Sequence, residues 1–148
     1  MSAGAGAVTG TLSVDRPRYA NVPNTIRCIR APCPSNAVTA KAQATFTVTN
    51  STTSTFTWRF NTGCQFDLDV AATTGTVVRR LSDGRFCTQA LTQLTLAPGE
   101  VKTYLAELPL EDKAGLQLDG SFRVTARLLG TGGPAVSGAA SFGVAIGP

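Results

Sequence analysis

Apolar and polar side chains alternate along this chain with the period of two that a β-strand imposes. From Lys41 onward, Ala42, Ala44, Phe46 and Val48 alternate with Gln43, Thr45, Thr47 and Thr49, the pattern of a strand with one face buried and one in water. The same reading turns Phe56, Trp58 and Phe60 inward against Thr57 and Arg59. It then places Cys64, Phe66, Leu68 and Val70 on one face and Asp67 and Asp69 on the other. A strand is predicted from Arg85 to Leu96 with Leu94 and Leu96 inward, and another from Ser121 to Leu129 with Phe122, Val124, Ala126 and Leu128 inward. Shorter signals mark Val8–Val14 (Val8, Gly10, Leu12 and Val14 on one face), Val77–Leu81, and Val101–Leu108, whose inward face the pattern leaves open. A last strand carries Ala140, Phe142, Val144 and Ile146.

Turn residues separate these segments at regular spacing: Asn50–Ser54, Asn61–Gly63, Thr73–Gly75, Ser82–Gly84 and Gly130–Pro134. In Ala97-Pro98-Gly99-Glu100, Pro at the second and Gly at the third position suit a type II turn. Residues 111–120 read as a loop or a short helical turn, and no amphipathic helix of useful length appears. The pattern predicts an all-β fold, an antiparallel two-sheet immunoglobulin-like β-sandwich of about eight or nine strands. Residues 2–7 are small and read as a frayed end. Residues 15–36 break the alternation with four prolines (Pro17, Pro23, Pro32, Pro34), four arginines (Arg16, Arg18, Arg27, Arg30) and the local pair Cys28 and Cys33. Proline removes ladder donors, so this stretch reads as an exposed loop insertion.

Length changes the picture little: 148 residues suit a single domain over 1–148. With 43% hydrophobic and 15% charged residues the chain is globular rather than disordered. No apolar run approaches the roughly 18 residues of a membrane span. The net charge of +4 is mild, and no strip of interleaved basic and aromatic residues marks a nucleic-acid site. Histidine is absent, which removes Ser–His and Cys–His nucleophile pairs and argues against an enzyme. Asp67 and Asp69 could hold a cation or act as paired carboxylates, but acids on an outer strand face read first as a solvated surface. No cofactor is implied.

Four cysteines in a strand-rich chain favour disulfides and an oxidising compartment, secreted, periplasmic or cell-envelope. Zinc competes poorly, because the only close pair is Cys28-x4-Cys33, and no metal site is expected. Of three connectivities, Cys28–Cys33 with Cys64–Cys87 is the expected one. The first residues lack a basic stretch followed by an apolar one, so the start reads as a mature end, with a cytoplasmic start as the competing reading. A Cys28–Cys33 bridge would close a small ring that presents Ile29, Arg30, Ala31 and Pro32, a stiff segment of the sort that loses little entropy on docking. Arg30 would suit the acidic pocket of a trypsin-like protease. The plainer reading is a trimmed loop that resists proteolysis, and a third is an arginine patch (Arg16, Arg18, Arg27, Arg30) for an acidic partner.

One resemblance adds to this. Phe46-Thr-Val-Thr-Asn50, the Phe56-x-Trp58-x-Phe60 run into Thr62-Gly-Cys-Gln-Phe-Asp-Leu-Asp-Val70, Thr88-Gln-Ala-Leu-Thr-Gln-Leu-Thr-Leu96, Pro98-Gly-Glu100 and Gly120-Ser-Phe-Arg-Val124 occur in that order. Together they resemble the intracellular proteinase inhibitor (BsuPI-type) family of bacilli and their relatives, over more than half of the chain. The resemblance implies an immunoglobulin-like sandwich that binds a protein, a serine protease first among candidates, and performs no catalysis. Cys64 falls where the family has the glutamine of Thr-Gly-Gln, and Cys87 where it has an aromatic before Thr-Gln-Ala. Two such replacements imply neighbouring positions bridged here by a disulfide. Thr88-Gln89 matches a family signature, for which a buried glutamine satisfying turn backbone is an equal explanation. Residues 15–36 have no counterpart in the family, so its contact residues are not carried over. The expectation is a proteinase inhibitor that docks Ile29–Pro32 into a serine protease. The alternative is a structural or protein-interaction module of the cell envelope.

Overall fold

A computed structural model describes residues 6–23 and 37–147. Among them run ten strands and no helix: β1 (Val8–Val14), β2 (Arg18–Asn21), β3 (Lys41–Asn50), β4 (Phe56–Phe60), β5 (Phe66–Ala72), β6 (Val77–Arg80), β7 (Thr92–Leu96), β8 (Val101–Pro109), β9 (Gly120–Leu128) and β10 (Ser137–Ile146). One sheet has the order β1-β3-β8, a second β2-β10-β9-β5-β6, and a two-stranded ladder joins β4 to β7. The result is an immunoglobulin-like sandwich.

The inward faces are those the alternation dictates. In β3 the buried residues are Ala42, Ala44, Phe46 and Val48, and in β9 they are Phe122, Val124 and Ala126. Phe46 of one sheet meets Phe66 of the other at 6.3 Å between ring centroids, so β3 and β5 face each other across the core. The β4–β7 ladder adds Trp58, Phe60, Leu94 and Leu96 to the same cluster. Trp58 is wholly buried and donates its indole N–H to the carbonyl of Pro134 at 2.8 Å, as a buried indole must. At one edge β1 crosses β10 closely: a side-chain carbon at Gly138 would lie 2.9 Å from the Leu12 amide nitrogen. Gly99 has φ +82°, the left-handed position that the expected type II turn needs.

Three expectations are corrected. The 15–36 stretch is not all loop: Arg18–Asn21 forms β2, which pairs with β10 in parallel, so the sandwich is not antiparallel throughout. Prolines and arginines hide it, yet Tyr19 and Asn21 alternate inward against exposed Arg18 and Ala20. The strand expected from Arg85 begins only at Thr92, and residues 85–91 are irregular. Asp67 lies on the outer face of β5 but is 4% exposed, not solvated. Its carboxylate accepts from the amides of Leu68 (2.9 Å) and Ser82 (3.0 Å) and from the Ser82 hydroxyl (2.8 Å), with the Arg127 guanidinium at 3.5 Å. Asp69 faces Arg80 at 3.1 Å and Arg127 at 3.7 Å, so both carboxylates are committed to structure.

Two buried asparagines tie the ends of the sandwich. Asn21 donates to the carbonyls of Leu110 and Leu118, both at 3.0 Å, and accepts from the Ala40 amide at 2.7 Å. Asn50, at the far end of β3, donates to the carbonyls of Ser54 (2.7 Å) and Leu96 (2.9 Å) and accepts from Thr52. Each joins backbone groups where strands end, and each is fully buried. Replacing Asn50 with Ala strands several buried groups. It is expected to lower unfolding stability by about 3 kcal/mol, read as a fall in the urea midpoint at unchanged slope; a loss below about 0.5 kcal/mol would remove the tie from the account.

Candidate functional site

Two segments leave the sandwich with their bases fixed. The first springs from the end of β2. Val22 and Val38 exchange both backbone hydrogen bonds, at 2.8 and 2.9 Å, and form an isolated antiparallel bridge. The Gln117 amide group braces this pair from the side, donating to the carbonyls of Val22 (3.0 Å) and Val38 (3.1 Å). Asn21 lies directly beneath. The chain between residues 23 and 37 therefore departs and returns at one braced stem. Cys28, Ile29, Arg30, Ala31, Pro32 and Cys33, with the bridge expected between the two cysteines, lie outside the described residues, as does Arg27. Of the remaining arginines, Arg16 and Arg18 are exposed beside the stem's strand.

That strand is fastened at its start as well. The Tyr19 hydroxyl donates to the Asp15 carboxylate at 2.6 Å, and the same carboxylate oxygen accepts from the Gln43 amide at 2.9 Å. These hydrogen bonds hold the Asp15 carboxyl below the usual carboxylate range, that from Tyr19 foremost. Burial, reinforced by Asp15, pushes the Tyr19 hydroxyl up to about 12. Burial alone does the same for Tyr104, which donates to the side-chain oxygen of Gln65 at 2.6 Å.

The second segment, residues 81–91, connects β6 to β7 at the opposite end. It is tied down at several points between Leu81 and Thr88. Leu81 donates to the Leu68 carbonyl (2.8 Å), Ser82 binds Asp67, and the Arg80 amide binds the Asp83 carboxylate (2.8 Å). Arg85 folds back over the Phe66 ring, 5.6 Å from its centroid, and donates to the Phe66 carbonyl at 2.7 Å. Cys87 is bonded to Cys64, with Cα atoms 5.3 Å apart, and the Thr88 carbonyl accepts from the Gly63 amide at 3.0 Å. Between these ties stands Phe86, with 99% of its surface exposed.

The disulfide pairing matches expectation, but the bridge lies outside the buried cluster and serves the loop rather than the core. Gln89 is exposed, so it is not the buried glutamine that its signature suggests. Alternation alone misses Phe86, because it falls inside the strand predicted from Arg85. The Ser82-Asp83-Gly84 turn just before it, and the cysteine just after it, are the signals that an aromatic there tops a loop.

The described sandwich thus carries a braced stem at one end and a fastened segment at the other. The family model described as intracellular proteinase inhibitor (BsuPI) matches residues 35–132, and the chain belongs to that family. The match begins after most of the 15–36 insertion. No curated protein matches the chain. Among solved structures, the sporulation control protein Spo0M from Bacillus subtilis is similar in fold, at 16% identity and a TM-score of 0.58, over 97% of this chain and 51% of that one. This chain thus spans about half of that protein's length. A CARDB domain from Pyrococcus furiosus, in complex with di-metal ions, aligns at 12% identity and a TM-score of 0.44, over 95% and 96% of the two chains. No helix of the described residues is long and apolar enough to cross a membrane.

The tyrosines and the disulfide each lead to a measurable outcome. The chain holds two tyrosines, and both have folded-state values raised from 10.0 to about 12. A raised value means that the neutral phenol is favoured in the folded state. The stability it confers is complete below pH 10 and is lost as pH rises through about 12. Phenolate absorbance should be absent from the native protein near pH 10 and then grow together with unfolding; a normal titration at pH 10 would contradict the burial argument. Replacing Cys64 and Cys87 by Ser opens a closure of 23 residues. It should reduce unfolding stability by about 3 kcal/mol in the chain-entropy account, measured by urea unfolding against the oxidised wild type.

Proposed function

We propose that this protein is a proteinase inhibitor that works by non-catalytic docking of a stiffened loop into a serine protease. Family membership over residues 35–132 carries this reading. The docking element is the segment Ile29–Pro32, with Arg30 as the side chain that enters an acidic primary pocket. The braced stem at Val22, Val38 and Gln117 supports it, since a loop with fixed ends loses less conformational freedom on binding. Positive charge beside the stem, from exposed Arg16 and Arg18, would assist encounter with an acidic cleft. The Cys64–Cys87 disulfide favours an oxidising compartment, although the family is described as intracellular.

The test is an inhibition titration against trypsin with wild type and Arg30→Ala. Loss of the primary-pocket charge pair should raise the inhibition constant by at least about 100-fold, with thermal unfolding unchanged. An unaltered constant removes Arg30, and no inhibition of any serine protease leaves the envelope-module reading in its place.

A further inference from the structure

The exposed aromatic at Phe86 has no part in docking through Ile29–Pro32. We infer that residues 85–88 form a second protease-contact site, in which Phe86 enters the apolar primary pocket of a serine protease that selects large hydrophobic side chains. The inference rests on the inhibitor reading for its class of partner and is independent of Arg30.

Exposure alone would say little, since single apolar residues on a surface are common. What distinguishes Phe86 is full exposure combined with immobilised neighbours. Arg85 is held by the ring and carbonyl of Phe66, Cys87 by its bond to Cys64, and Thr88 by Gly63. A phenyl group on a free loop gains little on docking because ordering the loop offsets its burial. Here the ordering is built into the fold. Neither the amide nor the carbonyl of Phe86 has a backbone hydrogen-bond partner among the described residues. The carbonyl has only the bridged Cys64 sulfur beside it, at 4.0 Å and without a proton to donate, so both groups can pair with the main chain of a cleft that receives substrate as an added strand. An aromatic anchor in a pocket, with main-chain bonds on either side, is the combination that dominates tight interfaces.

The same ties govern the fate of a cleaved loop. Hydrolysis of the Phe86–Cys87 bond would add one water, its hydroxyl to the Phe86 carbonyl carbon and its hydrogen to the Cys87 nitrogen. The new ends would stay in place, one fixed through Arg85 and the other through the disulfide. A product that cannot leave keeps the cleft occupied.

The stem at Val22 and Val38 and the loop at residues 85–88 lie at opposite ends of β9. Phe66, which anchors Arg85, pairs with Leu128 at the last residue of β9, whereas the stem adjoins Gly120 at the first through β10 and β2. Nine residues of strand separate them, roughly 25 Å at the ordinary rise per residue. Substitution of Phe86 therefore leaves the stem at Val22 and Val38 untouched.

The experiment measures inhibition of chymotrypsin and of trypsin by full-length wild type, Phe86→Ala and Arg30→Ala. Phe86→Ala should weaken chymotrypsin inhibition by about 100-fold while leaving trypsin inhibition and the unfolding temperature unchanged. Phe86→Tyr should retain most of the chymotrypsin inhibition. Wild type that inhibits trypsin but not chymotrypsin overturns this site and leaves the inhibitor reading standing. Equal inhibition of chymotrypsin by wild type and Phe86→Ala does the same. Inhibition of neither protease overturns both.

Discussion

The rest of the sandwich hangs on the fixing of β3 at its two ends by buried carboxamides. β3 is the central strand of its sheet, paired with β1 and β8, and its Phe46 is the aromatic that meets the opposite sheet. At its start Asn21 reaches across from the other sheet to the Ala40 amide; at its end Asn50 gathers the turn at 52–54 and the last carbonyl of β7. A sandwich of short strands loses most backbone partners where strands end, and buried backbone without partners is costly. One side-chain amide with two donors and an accepting oxygen bonds three backbone groups at once. The hydrophobic faces set which sheets meet. The asparagines set where they stop.

The points at which the two segments leave the sandwich are fixed by the same device. The stem at Val22 and Val38 rises directly from Asn21, and Gln117 braces it from a segment whose own neighbour, Leu118, is bound by Asn21. At the other end, Asp67 plays the corresponding part for Ser82, whose amide and hydroxyl both donate to its carboxylate. The disulfide then closes the far side of that loop. Two buried polar side chains, Asn21 and Asp67, thus fasten the backbone where these two segments leave the sheets. Loops of this sort can vary at their crests without disturbing the core.

Much of this is legible in the sequence, and for definite reasons. Period two sets the inward faces of β3, β4, β5 and β9, because a strand buried on one side admits no other register. The turn at Ala97–Glu100 comes from Pro98 and Gly99, and the pairing of Cys64 with Cys87 from two departures at family positions. The features that escape the pattern share one cause: polar residues acting as core. Asn21 sits among prolines and arginines, and no alternation of four residues ending in asparagine declares a strand. Asp67 obeys the pattern by facing outward, yet the loop that folds over it buries it. Phe86 is the converse, an apolar residue extrapolated inward along a strand that does not exist there.

That converse case shows how pattern and geometry divide the work. Alternation reports only which side of a sheet a residue faces, given that the sheet is there. Between Arg85 and Thr92 there is no strand: the partner of β7 ends at Phe60, Arg85 folds back on Phe66, and Cys87 is held to Cys64. Once the ladder is broken, an aromatic between the ties has no inward side to turn to. Its exposure is therefore a consequence of the fastening, and the features that make the loop rigid are those that present Phe86. The fully exposed ring and the fastened backbone on either side of it are therefore one feature and not two.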